Sequence, residues 1–184
     1  MGRIKFGIKN LHYAVATDNG SGTLTYGTPV AIPGAKSLSM DAQTETLDEF
    51  ADNGTWFHFD SNNGYSGTVE IEDTQEAEDF LTEVLGRSAD SVTGVVTEKS
   101  TDTAVQFALM WEFSLAGATE TGKRGKLYRC QAGRPSISSA TKESGITVQT
   151  LSIPVTAMPR IDTDEVQSSC ISTDSAYSTW FSAV

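Results

Sequence analysis

The chain has 184 residues, a length that fits one domain with a substantial core. Its contents of 38% hydrophobic and 20% charged residues exclude an intrinsically disordered chain. The net charge of −11 argues against a nucleic-acid-binding protein, because phosphate contacts require clustered Lys and Arg side chains.

The N-terminal sequence, the apolar stretches and the two cysteines bear on where the protein is located. The basic residues Arg3, Lys5 and Lys9 are not followed by the apolar run of a secretory signal. No stretch approaches the ~20 apolar residues of a membrane helix. We therefore expect a protein made in a cytoplasm, without a membrane partner. Cys130 and Cys170 lack a Cys-x-x-Cys spacing and are expected to be unpaired thiols.

Strand patterns dominate the first part of the chain. Short apolar or alternating runs predict strands at residues 11–16, 23–26, 30–32, 35–40, 55–59 and 67–72. Clusters of Asp, Asn, Ser and Gly predict turns at residues 18–22, 52–54 and 60–64. The acidic segment from Asp41 to Phe50 is weakly patterned and predicts either a loop or a mobile extension of a strand.

One helix is predicted at about residues 74–85. Asp73 can cap it, and Glu76 three residues later completes a capping box. Its apolar residues recur at the spacing of a single helical stripe, and they are Ala77, Phe80, Leu81, Val84 and Leu85. Gly86 is well placed to end the helix.

Strand patterns return after the helix. They predict strands at residues 104–115, 126–131 and 145–157, the last with a bulge between Val148 and Leu151 and an end at Pro159. Residues 160–184 predict a polar tail with an aromatic patch of Tyr177, Trp180 and Phe181. That patch could pack on its own sheet or on a neighbour. Some eight strands and one helix predict a mainly-β, sandwich or barrel-like fold.

Each candidate motif for catalysis or ligand binding lacks a required residue, spacing or structural context. The segment from Gly117 to Lys123 has P-loop spacing, but Arg124 replaces the Ser or Thr that would hold Mg²⁺ and a strand pattern follows where a helix is needed. Asp60 to Gly64 lacks the ligand positions of an EF-hand. His12 and His58 have no partner at metal-site spacing. We expect no enzyme, no cofactor and no metal.

Charge is divided unevenly along the chain. Residues 37–86 contain 13 acids and no Lys or Arg, whereas residues 122–141 contain five bases and no acid. The bases are Lys123, Arg124, Lys126, Arg129 and Arg134. The split is that of a solvated face, or of two segments that meet between neighbouring copies, where complementary potentials fix the register.

An ordered set of short motifs carries a resemblance to a known family. The set comprises Gly7-Ile8-Lys9-Asn10-Leu11-His12-Tyr13-Ala14, Tyr26-Gly27-Thr28-Pro29-Val30, Ile32-Pro33-Gly34-Ala35, Ala51-Asp52-Asn53-Gly54, Gly64-Tyr65-Ser66-Gly67, Val84-Leu85-Gly86, Phe107-Ala108-Leu109, Tyr128-Arg129-Cys130, Arg134-Pro135 and Pro159-Arg160. Over about residues 6–160 the chain resembles the phi13-type major tail proteins, which form the tail tube of long-tailed phages.

The resemblance implies a tail-tube β-sandwich with a flanking helix at residues 1–160, an N-terminal arm of about residues 1–10 and a C-terminal extension at 161–184. It also implies hexameric rings that stack into a virion tail tube, assembled in the host cytoplasm. DNA would pass through without specific binding. The expected partners are other copies of the chain and the tape-measure, tail-terminator and baseplate proteins.

Two sets of residues are candidates within this picture. The acids Asp41, Glu45, Asp48, Glu49 and Asp52 are candidates for the lumen or for ring stacking, in a segment from Asp41 to Asn53 that a neighbouring ring would order. The five bases of residues 122–141 are candidates for contacts between subunits.

The alternative function is a carbohydrate-binding or adhesin-like β-sandwich. It predicts exposed aromatic side chains grouped on one rim, with Trp56, Tyr65 and Trp111 as candidates.

Overall fold

The computed structural model describes residues 4–116, 119–139, 141 and 148–184. Over these residues the fold is mainly β with one α-helix, as the sequence predicts. The elements are β1 (Ile4–Asp18), β2 (Leu24–Tyr26), β3 (Val30–Ile32), β4 (Ala35–Ala51), β5 (Gly54–Glu72), α1 (Gln75–Val84), β6 (Ser88–Ala89), β7 (Val96–Thr97), β8 (Gln106–Ala116), β9 (Gly122–Ala132), β10 (Thr150–Met158), β11 (Gln167–Ile171) and the 3₁₀ helix η1 (Ser175–Thr179).

Nine of the strands form one antiparallel sheet. Its order is β2-β1-β8-β9-β10-β5-β4, with β3 added beside β1 and β11 added beside β9. The two end regions of this sheet approach each other, because β4 also lies against β1. The sheet therefore curves around its own core in a barrel-like way, and β6 and β7 form a separate small hairpin.

The core fills the inside of this curved sheet. Its largest fully buried side chains come from six strands and the helix, and they include Leu11, Ile32, Ile71, Leu81, Phe107, Leu109, Leu127, Ile153 and Val155. Phe80 of α1 makes an edge-to-face contact with Phe107 of β8, at 5.5 Å between ring centroids. The helix is thereby packed into the core by the apolar stripe that predicted it.

The helix confirms the prediction except at its first turn. The N-cap is Thr74 rather than Asp73, because the Thr74 hydroxyl accepts the hydrogen bond from the amide of Ala77. Gly86 follows the helix with a φ of 69°, the left-handed conformation that commonly ends helices.

The N-terminal segment lies in the sheet from Ile4 onward. Ile4 of β1 pairs with Ala116 of β8, so the residues expected to form an arm at about 1–10 are strand over the part that the structure describes. Residues 1–3 lie outside the described residues. Two register shifts interrupt this pairing, next to Gly7 and Asn10, which have φ values of 62° and 52°. The strand is thus bulged where it leaves the core.

The longest hairpin decides one prediction and corrects another. Of the two alternatives for Asp41 to Phe50, the structure shows the strand extension: the segment is the second half of β4, paired with β5 up to the two-residue turn Asp52-Asn53. The predicted turn at residues 60–64 is wrong, since these residues lie within β5. Their turn-like composition instead marks a bulge, where the register shifts between Ala42 and Thr44 and Gly64 has a φ of 95°.

The last strands also differ in detail from the prediction. β10 begins at Thr150 with regular alternation and no bulge near Leu151, and residues 145–147 of the predicted strand lie outside the described residues. It ends at Met158, just before Pro159, as predicted. Beyond the P-loop-like segment, of which Gly117 and Ala118 lie outside the described residues, Gly122 opens β9 and not a helix.

Both cysteines are buried free thiols, which confirms their predicted unpaired state. Burial raises the pKa of Cys130 to about 12, so its reactive thiolate is scarce at neutral pH.

We expect Cys130 in the folded protein to react with iodoacetamide at least about a thousandfold more slowly than in urea. Timed alkylation with mass spectrometry measures this. Rapid native labelling of Cys130 would contradict its burial.

Candidate functional site

The outer half of the β4–β5 hairpin projects from the body of the fold. We call residues 41–63 the ribbon. Except for Ser61, every residue of the ribbon is exposed to solvent. It nevertheless carries five large apolar side chains that are at least half exposed: Leu47 (51%), Phe50 (72%), Trp56 (74%), Phe57 (50%) and Phe59 (54%). A two-stranded hairpin without further packing is marginally stable in water, so the ribbon is suited to being covered by another surface.

One face of the ribbon is apolar. Leu47 lies directly opposite Phe59, and Phe57 lies opposite Glu49 on the same face, because facing residues in an antiparallel pair share a side. Nothing in the described part of the same chain buries these side chains. The apolar face is therefore exposed to solvent in the subunit.

The opposite face of the ribbon is polar. His58 Nδ1 lies 2.6 Å from a carboxylate oxygen of Asp48, and Nε2 lies 3.3 Å from Asp60. The hydroxyl of Thr46 donates to Asp60 at 2.7 Å. The Asp48 carboxylate, followed by that of Asp60, raises the pKa of His58 above its ordinary value. These cross-strand contacts hold the two strands in register without a core.

The acids predicted for the lumen or for ring stacking all belong to the ribbon. Asp41, Glu45, Asp48 and Glu49 lie on the outer part of β4, and Asp52 lies in the turn at the tip. Each of them is exposed. With Asp60 they make the ribbon strongly acidic, and it contains no Lys or Arg. The structure therefore brings the predicted acids together on the same projection as the apolar face.

The basic residues predicted for subunit contacts are mostly engaged within the subunit. Arg129 donates to Gln106 at 3.0 Å and to the carbonyl of Pro159 at 3.2 Å. Arg134 contacts Glu98 at 2.5 Å. Lys126 is buried, with its Nζ 4.4 Å from the ring of Trp180.

Arg124 also has a partner within the subunit, since it forms an ion pair with Glu112. Lys123, in contrast, is exposed. Four of the five bases thus have partners within the subunit, and their predicted role in contacts between subunits stays a prediction.

Arg124 belongs to a buried charged centre that sequence reasoning missed. Glu112 of β8 is only 3% exposed. Its carboxylate receives hydrogen bonds from Arg124 at 2.8 Å and Asn10 at 3.1 Å, and pairs with Lys9 at 3.2 Å. Burial would raise the pKa of Glu112, but the hydrogen bonds from Arg124, Asn10, Tyr177 and Lys9 outweigh it, and the pKa is lowered. The sequence feature that could have revealed this centre is a single acid, Glu112, between Trp111 and Phe113 in an otherwise apolar strand.

The charged centre anchors the C-terminal segment to the outside of the sheet. The Arg124 guanidinium lies 3.8 Å from the ring centre of Tyr177 and 4.6 Å from that of Phe181. Phe181 also stacks on His12 of β1 at 4.3 Å between ring centroids. Of the two options left open for the aromatic patch, the structure shows packing on its own sheet. Residues 167–171 of the expected C-terminal extension form β11 beside β9.

A small cavity opens between β1, β4 and β8 on the core side of the sheet. It has a volume of about 190 Å³ and is lined by Lys5, Leu38, Met40, Tyr65, Trp111, Phe113, Leu127 and Gln167. Most of this lining is apolar and continuous with the core. Lys5 supplies the one charged group of the lining, with its Nζ 4.4 Å above the ring of Phe113.

The rim of aromatic side chains predicted for a carbohydrate-binding module does not form. Trp111 is 5% exposed and belongs to the core, where Tyr65 packs against it as a half-buried side chain. Trp56 lies near the tip of the ribbon, at the far end of β5 from Tyr65. The structure therefore separates the three candidates.

In the part of the chain that the structure describes, no three His, Cys, Asp or Glu side chains are grouped so that they could hold a metal ion. Among the described residues, no helix combines the length and the apolar character needed to cross a membrane.

Comparisons with known proteins give a single kind of likeness. No protein-family model matches the chain, and no curated protein matches it in sequence. Among solved structures, the fold is similar to a cryo-electron-microscopy structure of the anti-feeding prophage cap, the AFP tube terminating cap. That similarity has a TM-score of 0.48 at 8% identity, over 92% of this chain and 94% of that one. A likeness of this degree carries no argument about function.

Proposed function

We propose that this chain is a self-assembling structural subunit of a phage tail tube, forming hexameric rings that stack and conduct DNA from virion to host. The observation that carries the proposal is the ribbon, because its apolar face is exposed and no described residue of the subunit covers it. Burying such a face against a second copy removes apolar area from water, which is the main driving force for association.

The kind of assembly is inferred from the motif resemblance described above. Exposed strand edges and apolar ribbon faces must be covered in a stable particle, and closed rings cover them in every copy. The exposed acids of the ribbon suit a conduit. An acidic wall repels phosphates, so DNA could slide past it without the basic contacts that hold a nucleic-acid-binding protein in place. In a virion the tube would contact tape-measure, tail-terminator and baseplate proteins.

The decisive variant changes the apolar face alone. We expect Leu47→Asp combined with Phe59→Asp to abolish ring or tube formation, because the two side chains face each other on the ribbon and would be buried in the assembly. The thermal stability of the isolated subunit should hardly change, since both side chains are already exposed in it. Sedimentation velocity and negative-stain electron microscopy report assembly, and calorimetry reports stability.

Val92→Asp is the matched control, because Val92 is 91% exposed but lies outside the ribbon. It should assemble normally. The proposal fails if the unmodified protein remains a monomer up to millimolar concentration, or if the double variant still forms tubes.

A further inference from the structure

The cavity between β1, β4 and β8 has the dimensions of a receptor for one aromatic ring. Its volume is about 190 Å³, and an engineered apolar cavity of roughly 150 Å³ is known to bind benzene. Its walls are formed by Leu38, Met40, Tyr65 and Phe113, all of them half-buried at the end of the core. An apolar side chain placed there would complete the packing of these residues, and the cavity is too small for an indole and a second group together.

The charge at the cavity points to an acidic occupant. Lys5 is exposed and stands in the lining. Its neighbours Ile4 (67%) and Phe6 (56%) are also exposed, but strand alternation places them on the opposite face of β1, outside the cavity lining. The cavity therefore has apolar walls and a positive charge supplied by Lys5. A complementary partner presents an aromatic side chain beside a carboxylate.

The tip of the ribbon has this combination. Phe50 is 72% exposed, more than Phe57 or Phe59, and it lies next to Glu49 and close to the Asp52 turn. Trp56 is equally exposed, at 74%, but its indole is larger than a phenyl ring. The ribbon lacks any base, whereas the chain's own basic stretch is largely engaged in internal contacts. Lys5, whose Nζ lies 4.4 Å above the ring of Phe113, is an exposed positive charge that these acids could approach.

We infer that the ribbon of one copy docks on the next copy by inserting Phe50 into the cavity between β1, β4 and β8, with Glu49 pairing with Lys5. The inference rests on the proposed self-assembly and names the surface that receives the ribbon. The partner is a second copy of this chain.

The first test compares the two aromatic residues at the tip. Phe50→Ala should weaken association of the full chain by about 30-fold, the effect of a side chain that fills an interface pocket. Trp56→Ala should weaken it by less than about threefold, although Trp56 is as exposed as Phe50 in the subunit. Sedimentation equilibrium over a concentration series measures both. Equal effects of the two substitutions would overturn the assignment of Phe50.

The second test exchanges the paired charges. Lys5→Glu and Glu49→Lys should each weaken association by about tenfold at low salt, with a smaller effect as salt rises. The double exchange should restore association to within about threefold. Lys99→Glu, a reversal of another exposed lysine, is the control and should have little effect. Failure of the double exchange to restore association would overturn the pairing.

A zero-length carbodiimide cross-link gives a readout independent of affinity. In tubes assembled from mixed isotope-labelled and unlabelled copies, Lys5 and Glu49 should be joined between a labelled and an unlabelled chain. If tubes form and are lost on changing Leu47 and Phe59, yet Phe50→Ala, Lys5→Glu and the cross-link give no signal, the docking inference is overturned and the proposed function stands. If the unmodified protein does not associate at all, both are overturned.

Discussion

We expect Glu112→Ala to lower the free energy of unfolding by about 3–5 kcal/mol, because it removes one member of a buried charged group and leaves Arg124 without its carboxylate. Arg124 also donates to the carbonyl of Tyr177 and stacks on two aromatic rings. Limited proteolysis should therefore cut the variant after Ile171 more rapidly than the unmodified protein. Urea unfolding measures the stability. Glu45→Gln, at an exposed position on the ribbon, should change neither quantity.

The stability that the Glu112 carboxylate contributes should decrease as the pH falls. The pKa of Glu112 is lowered in the folded protein, so the stabilisation is present in full above the unfolded pKa of about 4.3 and is lost as the pH falls through the folded value. The stability difference between the unmodified protein and Glu112→Gln should accordingly shrink below about pH 4.3. A difference that stays constant from pH 7 to pH 3 would show that the carboxylate acts through its shape and not its charge.

We expect Gly64→Ala to be the most damaging glycine substitution near the ribbon. Gly64 has a φ of 95°, and an added Cβ would lie 2.0 Å from the carbonyl oxygen of Ala157 on β10. Backbone strain and the clash together cost about 3–5 kcal/mol, which corresponds to a fall in melting temperature on the order of 10 °C.

Substitutions at two other glycines separate the effect of backbone strain from the effect of the steric clash. Gly54→Ala, at the other end of β5, meets no atom within 4 Å and should be neutral. Gly7→Ala has the left-handed φ of 62° but no clash, so it should cost only the strain, about 1–2 kcal/mol. Calorimetry of the three variants measures the series. If Gly64→Ala is no worse than Gly7→Ala, β5 and β10 can separate at this point without cost.

Local patterns in the sequence predicted local structure well. The helix was found because its stripe from Ala77 to Leu85 and its final glycine lie within a single short segment. The hairpin turn at Asp52-Asn53 was found for the same reason, since both residues adopt the positive φ values that Asn and Asp tolerate.

Structure that depends on distant partners could not be predicted in the same way. Asp41 to Phe50 lacks an alternating pattern because neither face is buried within the subunit, and its strand is set by pairing with β5. The polar cluster at residues 60–64 has the composition of a turn, yet it is strand paired with β4, with a bulge where the register shifts between Ala42 and Thr44. Turn residues and bulge residues share a composition, and only the paired strand distinguishes them.

The structure places the predicted acids on one exposed projection, and their role at a lumen or in ring stacking stays a prediction. An exposed acidic projection needs no partner within the chain to be recognised. The roles of Arg124 and Lys126 depend on Glu112 and on aromatic residues near the C-terminus, and sequence separation hides such contacts. Sequence reasoning also gave Lys5 no site role, because the cavity that it lines is formed by residues distant in the sequence.

The order in which the chain folds gives the ribbon's acids another role. β4 and β5 are consecutive strands, whereas the body is complete only when β1 meets β8 and β9 meets β11. Local hairpins form faster than pairings between distant segments, so the aromatic ribbon is exposed before its subunit has a finished core. Exposed apolar strands on unfinished chains invite disordered aggregation, and flanking charges act as gatekeepers against it. Mutual repulsion between these acids therefore disfavours contact between the ribbons of unfinished chains.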